Sequence, residues 1–216
     1  MASSNRKLAA IVFSDVVNFT VTMAKNEKLG LGYIKDHTSL ISEHITKYNG
    51  EVLKELGDGC LMIFDSAYDA VMFSKELQQK VLEQCDFKIR IGIHVGDVIK
   101  EKDDYFGSGV NIASRIYGFA DPGETCITKD VNNHMMGHDD IDTKSIGQKE
   151  IKGIDDPYEI FKLINDESTS LENTEEIKEE KKVELTFFSE LLSRRVPQFI
   201  GFYTAVGWTI IQFIDW

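Results

Sequence analysis

A hairpin signature in the first third of the chain limits the folds that are open to it. Residues 51–64, EVLKELGDGCLMIF, contain two short strand patterns on either side of Gly57, Asp58 and Gly59. Glycine and aspartate are typical of tight turns, so the segment predicts an antiparallel pair of strands with a carboxylate at its tip. Such a pair argues against a fully parallel, doubly wound sheet.

The remaining patterns interleave strands and helices. Strands are predicted where short apolar or alternating runs occur, and helices where apolar residues recur every three or four positions. The strands fall at 8–14, 87–99, 125–128 and 158–163, and the helices at 28–48, 67–82 and 110–120. Together they predict a mixed α+β sandwich with helices on one face of the sheet, in one domain of residues 1–164.

Composition argues against several functional classes. The formal net charge is −12, whereas binding to a nucleic-acid backbone requires clustered Lys and Arg, so we expect no nucleic-acid partner. The three cysteines, Cys60, Cys85 and Cys126, form no CxxC pair. They therefore predict neither a disulfide framework nor a thiolate zinc site, and they fit the reducing cytosol.

The composition changes after residue 164. Residues 165–195 are predicted to form an acidic linker and an amphipathic juxtamembrane helix, and residues 196–216 hold no charge until Asp215. As a helix, those last residues would extend roughly 30 Å at about 1.5 Å per residue, which matches a bilayer core. We therefore predict a transmembrane helix in the cell membrane, with Arg194 and Arg195 on the cytoplasmic side together with the globular domain. The alternative is a buried or partner-binding amphipathic helix.

Two aspartates lie where predicted strands end. Asp15 closes the strand IVFSD, and Asp58 is at the tip of the hairpin. Such positions can converge into an oxygen-rich site for Mg²⁺, whose coordination is completed by substrate phosphates and water. Taken singly, each aspartate is better explained as a cap or an ordinary turn residue.

A second pair of polar residues is predicted on a helix. Asn111 and Arg115, in VNIASRI, are four residues apart and would share one helix face. An Asn amide can orient a ribose oxygen, and an Arg guanidinium can stabilise charge that develops on a phosphoryl group. An isolated pair of this kind is more often a surface Asn beside a salt-bridged Arg.

In their order along the chain, these motifs resemble the catalytic domain of class III adenylyl and guanylyl cyclases. The resemblance covers about residues 7–163 and is carried by five segments: FSDVVNFT, KELGDGCLMIF, KIRIGIHVGDVI, DYFGSGVNIASRIYGFADPGETCIT and EIKGIDDPYEIFKL. FSD or GDG alone would be weak evidence, whereas five motifs in order are specific. The resemblance implies a ferredoxin-like sheet, related to the polymerase palm, with helices on its faces.

The resemblance also implies a metal site. Asp15 and Asp58, assisted by the backbone carbonyl of Val16, would bind two Mg²⁺ or Mn²⁺ ions. One ion would activate the ribose 3′-hydroxyl of ATP for in-line attack on the α-phosphate, and the second would help to hold the leaving pyrophosphate.

Further roles follow from the same resemblance. Asn111 would orient the ribose, and Arg115 would stabilise the pentavalent phosphorus. Arg90, in KIRIGIH, and Lys152, in IKG, would contact the phosphates. Arg90 has an ordinary alternative as a paired residue on the outer face of a strand.

Two further positions of the family pattern concern the base. ATP-using members have a Lys and an Asp at the adenine edge, and Lys54 and Asp104 match them here. A lysine can donate to an adenine nitrogen, and a carboxylate can accept from its amino group, whereas guanine presents an oxygen there. Lys54 has an ordinary alternative as an exposed strand lysine, and Asp103 is the alternative reader if the loop register shifts by one residue. The loop between Gly96 and Asp104 is shorter than in the commonest family pattern, which affects the pose of Asp104.

In the family the metal ligands of one subunit complete a site with the helix residues of another. Since this chain carries both sets, the resemblance implies a homodimer that converts ATP into cyclic AMP. The alternatives are a guanylate cyclase and a catalytically dead cyclase-homology module for dimerisation or nucleotide sensing. The first is disfavoured by Lys54 and Asp104, and the second by the complete set of motifs. A diguanylate cyclase would show a GGDEF-like hairpin, which GDG is not.

Overall fold

The computed structural model describes residues 6–101, 104–154 and 156–164. The strands are β1 (Arg6–Val16), β2 (Gly50–Glu55), β3 (Gly59–Phe64), β4 (Ile89–Glu101), β5 (Asp104–Phe106), β6 (Thr125–Thr128), β7 (Asp142–Lys149) and β8 (Tyr158–Ile164). The helices are α1 (Phe19–Lys25), α2 (Glu27–His44), α3 (Ala67–Gln84), α4 (Ser108–Ile116) and α5 (Lys129–Met135). Short 3₁₀ turns, Ile45–Tyr48 and Tyr117–Phe119, follow α2 and α4.

The strands form one mixed sheet. Its order is β2-β3-β1-β4-β6-β8-β7, and β5 pairs with the end of β4. β4 and β6 are parallel, while the other described pairs are antiparallel. The predicted α+β class and the predicted hairpin of β2 and β3 are confirmed. The two long strands β1 and β4 lie side by side at the centre of the sheet. Because they are antiparallel, the C-terminal end of β1 lies next to the N-terminal end of β4.

Alternate residues of β1 serve two different cores, as the two-residue period of a strand requires. Ala10 and Val12 face the larger core, which is closed by α2, α3 and α5. Ile11 and Phe13 face the opposite way, into a smaller core beneath α4. The prediction of helices on one face, drawn from the patterns, is therefore wrong, whereas helices on both faces agree with what the family resemblance implies. The helical pattern of α4 was recognised, but no sequence period tells which face of a sheet a helix covers.

Glycines allow α4 to lie unusually close to β4. A Cβ atom added to Gly96 would be 2.8 Å from the Cα of Gly109 in the first turn of α4. A Cβ atom added to Gly92 would be 2.3 Å from the backbone nitrogen of Tyr117, just beyond the end of α4. Side chains at these positions would hold helix and strand apart, so the glycines determine how α4 sits on the sheet.

Four elements were not predicted: α1, β5, α5 and β7. α1 and α5 have seven residues each, which is too short to show a clear helical period, and α1 buries none of its residues. β7 is an edge strand without a fully buried residue, and its sequence DTKSIGQK lacks a clear apolar alternation.

The predictions for the C-terminal segment are not tested by the described residues. The predicted linker, juxtamembrane helix and transmembrane helix, residues 165–216, lie outside the described residues. In the part of the chain that the structure describes, no helix has the length and apolar character needed to span a membrane. Residues 1–165 form one compact unit, and the predicted boundary at residue 164 stays a prediction.

Candidate active site

Two carboxylates meet at the ends of β1 and of the β2–β3 hairpin. Asp15 is paired in register with Gly59, and the backbone nitrogen of Val16 donates to the carbonyl oxygen of Asp58 at 3.1 Å. The turn requires both of its glycines. Gly57 has φ +77°, and a Cβ atom on Gly59 would be 2.6 Å from the carbonyl oxygen of Ser14. The GDG sequence therefore brings Asp58 beside the end of β1.

The Asp15 carboxyl lies in a polar cluster that is partly shielded from water. Its side chain is 16% exposed, and burial raises the pKa of Asp15. The hydrogen bond and the positive charge of Arg90 oppose that rise in the pKa, whereas the neighbouring Asp58 carboxyl adds to it. Two carboxyl groups that share a small space favour a bound cation.

The positive charge next to Asp15 in the structure is the guanidinium of Arg90. In the antiparallel register of β1 and β4, Arg90 is directly opposite Asp15, and its Nη2 forms an ion pair with Asp15 Oδ2. Its Nε is buried without a hydrogen-bond partner. Arg90 therefore belongs to the cluster around the carboxylates. The prediction that it contacts phosphates stays a prediction.

The donor set fits a hard divalent cation. Among the described residues no group of three His, Cys, Asp or Glu side chains could enclose a metal ion. Asp15 and Asp58, with the backbone of Val16 at the same strand end, instead offer a few oxygens on one side. Mg²⁺ is usually bound by one or two carboxylates, with water and substrate phosphates completing the shell, so these residues suit it.

The second predicted pair lies on α4. The helix buries Gly109, Ile112, Ala113 and Ile116 against the sheet. Asn111 and Arg115 share the opposite face of the helix, as expected from their four-residue spacing, and both are exposed. Both side chains can therefore meet a ligand that approaches from outside the subunit.

Lys152 lies in a tight turn beside α4. The nitrogen of Ile154 donates to the carbonyl oxygen of Ile151 at 3.0 Å, and Gly153 has φ +76°. A Cβ atom on Gly153 would be 3.9 Å from Nη1 of Arg115. The structure thus brings the turn that carries Lys152 next to the Arg115 guanidinium, forming a second, positively charged group of residues.

The predicted base-reading residues are on two different strands. Lys54 is an exposed residue of β2 opposite Leu61, next to a bulge in the pairing with β3. Asp104 begins β5, and its backbone pairs with Glu101. The alternative reader, Asp103, lies outside the described residues. The assignment of these side chains to the base stays a prediction.

The two charged groups of one subunit are not joined. Within residues 6–101, 104–154 and 156–164, no hydrogen bond or ion pair links Asp15 or Asp58 to Asn111, Arg115 or Lys152. The charges that act on Asp15 come from Arg90 and Asp58. Each half of the predicted site is thus a separate cluster in one chain.

The sequence did not reveal Tyr117. Its ring lies against the guanidinium of Arg90, with 5.4 Å between the guanidinium carbon and the ring centroid. Its position two residues after Arg115 gave no signal of this contact, because the contact depends on how closely the end of α4 approaches β4. The pairing of Asp15 with Arg90 was missed for a similar reason, since it depends on strand register.

Comparisons with known proteins identify a family for this chain. The family model for the adenylate and guanylate cyclase catalytic domain matches residues 1–165. A protein of Rhizobium meliloti (strain 1021), named as a candidate adenylate cyclase, is 34% identical over 173 residues. That match covers 74% of this chain and 28% of the relative, so the chain spans little more than a quarter of that relative's length. A pH-sensitive adenylate cyclase of Mycobacterium tuberculosis is 23% identical, over 71% of this chain and 40% of its own.

Solved structures show the same fold. An adenylate/guanylate cyclase/hydrolase from Silicibacter pomeroyi has a TM-score of 0.70 and 28% identity, and the match covers 76% of this chain and 100% of that one. The adenylyl cyclase CyaB from P. aeruginosa has a TM-score of 0.68 and 24% identity, with coverage of 76% and 96%.

Proposed function

The chain belongs to the adenylate and guanylate cyclase catalytic domain family, and from this premise we propose that it is an adenylate cyclase, a lyase that converts ATP into 3′,5′-cyclic AMP and pyrophosphate. The observation that supports this most is the convergence of Asp15 and Asp58 at adjoining strand ends. The residues on α4 complete the set of groups that such a reaction requires.

We propose that the site is shared between two copies of the chain. The family acts as a dimer on a nucleotide. In one subunit no contact among the described residues joins the carboxylates to Asn111, Arg115 or Lys152, and the first two of these side chains face outward. A two-fold symmetric dimer can bring the carboxylates of one subunit opposite α4 of the other and so forms two equal sites.

Members of the family depend on a metal, and we propose two Mg²⁺ or Mn²⁺ ions at each site. Asp15, Asp58 and the backbone carbonyl of Val16 would hold them. When bound, such ions supply Lewis-acid activation of the ribose 3′-hydroxyl and neutralise charge on the pyrophosphate. Binding would relieve the repulsion between the two carboxyl groups, which adds to the rise that burial causes in the pKa of Asp15.

The other side chains bind and orient the nucleotide. Asn111 would hold the ribose so that its 3′-hydroxyl lies in line with the α-phosphate, and Arg115 would stabilise the charge that develops there. Lys152, in the turn next to Arg115, and Arg90, next to Asp15, would bind the phosphates. An arginine suits this purpose because its planar fork binds two phosphate oxygens at once.

The choice of ATP rests on Lys54 and Asp104. A lysine donor and a carboxylate acceptor complement the adenine edge, whereas a carboxylate would face an oxygen of guanine. The two residues occupy β2 and β5, which are separate strands of the sheet. In the proposed dimer they would contribute to the same half of the site as Asn111.

Product analysis tests this function directly. The full chain is incubated with Mn²⁺ or Mg²⁺ and either ATP or GTP, and the cyclic products are measured by mass spectrometry. Cyclic AMP from ATP, lost in Asp15→Asn, is the expected result. Cyclic GMP as the only product would refute the base assignment. No product from either nucleotide, with a folded dimer in solution, would favour a non-catalytic dimerisation module.

We also propose that residues 196–216 anchor the chain in the cell membrane, with the catalytic domain on the cytoplasmic side. Their uncharged run, preceded by Arg194 and Arg195, supports this. Fractionation of cells that express the full chain should place it in the membrane pellet after a carbonate wash, and removal of residues 196–216 should release it. A full chain in the soluble fraction would refute the anchor.

A further inference from the structure

Tyr117 covers the ion pair between Asp15 and Arg90. The distance of 5.4 Å from the guanidinium carbon to the ring centroid is within the range of a cation–π interaction. Burial raises the pKa of the Tyr117 phenol, and the nearby Asp15 carboxylate raises it further, so the ring is neutral at physiological pH. A neutral aromatic face next to a guanidinium can orient it without competing for the carboxylate.

The position of Tyr117 is fixed from two sides. Its backbone nitrogen rests on Gly92, where a Cβ atom would be 2.3 Å away. Its ring stacks on Phe13, with 6.5 Å between centroids and 24° between the planes. In the register of β1 and β4, Phe13 is opposite Gly92, just as Asp15 is opposite Arg90. The two pairs are therefore neighbours on one face of the sheet, and Tyr117 packs on both.

Arg90 has few other restraints. In the described part of the chain its ion pair is with Asp15 alone, and its buried Nε has no hydrogen-bond partner. A single ion pair leaves a long side chain free to rotate, because one contact fixes neither the plane nor the direction of the guanidinium. The ring of Tyr117 supplies the missing restraint.

We propose that Tyr117 is a positioning residue that fixes the plane of the Arg90 guanidinium, so that Arg90 keeps its contact with Asp15 and directs its remaining N–H groups towards the phosphates of the nucleotide. The inference rests on the proposed role of Arg90 at the phosphates. It assigns the effect to the aromatic ring and not to the hydroxyl group. Tyr117 acts through Arg90 and does not itself touch the substrate.

A double-mutant cycle in the full chain tests this. The KM for ATP and the inhibition constant of pyrophosphate are measured for the wild type, Tyr117→Leu, Arg90→Gln and the double variant. We expect Tyr117→Leu to raise both constants by roughly tenfold, with a smaller change in kcat. The double variant should match Arg90→Gln, because without Arg90 the ring has nothing to position. Tyr117→Phe keeps the ring and should remain near the wild type.

The inference is overturned if the two single effects multiply in the double variant, or if Tyr117→Phe is as impaired as Tyr117→Leu. Tyr33→Leu is a matched control. It removes an aromatic contact with Phe87, 4.7 Å between centroids, in the core on the other face of the sheet. It should lower the melting temperature without changing either constant, which separates positioning from loss of packing. A wild type that forms no cyclic nucleotide would refute the proposed function, whereas an active wild type with multiplicative variants would refute this inference alone.

Discussion

Replacing Gly92 with alanine should push the C-terminal end of α4 away from β4. Gly92 is buried in the centre of β4, and its φ is not in the left-handed region, so alanine is tolerated by the strand backbone itself. The added Cβ atom would nevertheless lie 2.3 Å from the nitrogen of Tyr117, and ordinary contacts begin at 3.4 Å. The helix end must therefore move by about 1 Å, since backbone atoms cannot rotate away as a side chain can.

The expected costs follow from that displacement. Overpacking of a buried site destabilises by about 3 kcal/mol at the upper end of its usual range, and the clash with backbone places Gly92→Ala at that end. For a chain of this size the loss corresponds to a fall in melting temperature of about 6–12 °C. A displacement of about 1 Å in the groups that orient a substrate can reduce turnover about 100-fold, so cyclic AMP formation should fall steeply.

Gly118→Ala provides the matched control. Gly118 lies in the same 3₁₀ turn as Tyr117, is exposed, and has no atom within 4 Å of an added Cβ. Its substitution should change stability by less than about 0.5 kcal/mol. Calorimetry and initial rates with ATP would be measured for both variants side by side. If Gly92→Ala melted within about 1 °C of the wild type and retained its rate, the close docking of α4 on β4 would be refuted.

Three further predictions test other parts of the molecule. Asp58→Ala and Arg115→Ala should each be nearly inactive. When equal amounts of the two variants exchange subunits, about a quarter of wild-type activity should return, because half of the dimers are mixed and each mixed dimer holds one intact site of two. No recovery of activity, with subunit exchange demonstrated, would refute a shared site. Burial lowers the pKa of His37 to about 4, so the unfolded chain, with its ordinary pKa near 6.5, binds the proton first as the pH falls. Stability is then lost between about pH 6.5 and 4, by up to about 3 kcal/mol from His37. His37→Leu should reduce the fall in urea midpoints across that window by about half, because burial also lowers the pKa of His94 to about 4, whereas the exposed His134→Gln should leave the fall unchanged. Gly32→Ala, inside α2 with nothing within 4 Å of the new methyl group, should raise stability by about 0.5–1 kcal/mol in thermal melts, and a loss of stability would contradict the open position.

Elements with a strong period could be predicted from the sequence. The observed α2 and α3 have eighteen residues each and carry an apolar stripe, and β3 is buried at every position. Such segments can be recognised from a short stretch of sequence, because their buried positions appear as a run or a regular repeat of apolar residues. α1 and β7 could not be found in this way, since a helix without buried residues and a half-exposed edge strand keep little apolar pattern.

In the candidate site, too, local patterns predicted some features and could not predict others. The positions of Asp15 and Asp58 at strand ends, and of Asn111 and Arg115 on one helix face, follow from local patterns and their spacing. The ion pair between Asp15 and Arg90 joins residues 75 positions apart and requires the register of β1 with β4. A shift of one residue in that register would turn Arg90 to the other face of the sheet, and no single motif specifies it.

The arrangement around Tyr117 explains why the glycines of β4 matter to the chemistry as well as to the fold. Gly92 lets the end of α4 approach the strand, and the residue that arrives there, Tyr117, lies over Arg90. The same helix carries Arg115 on its outer face. In the proposed dimer, Arg115 would serve one site while Arg90 of the same subunit serves the other. In that dimer, a displacement of α4 in one subunit would therefore change the position of Arg115 at one site and of Arg90 at the other.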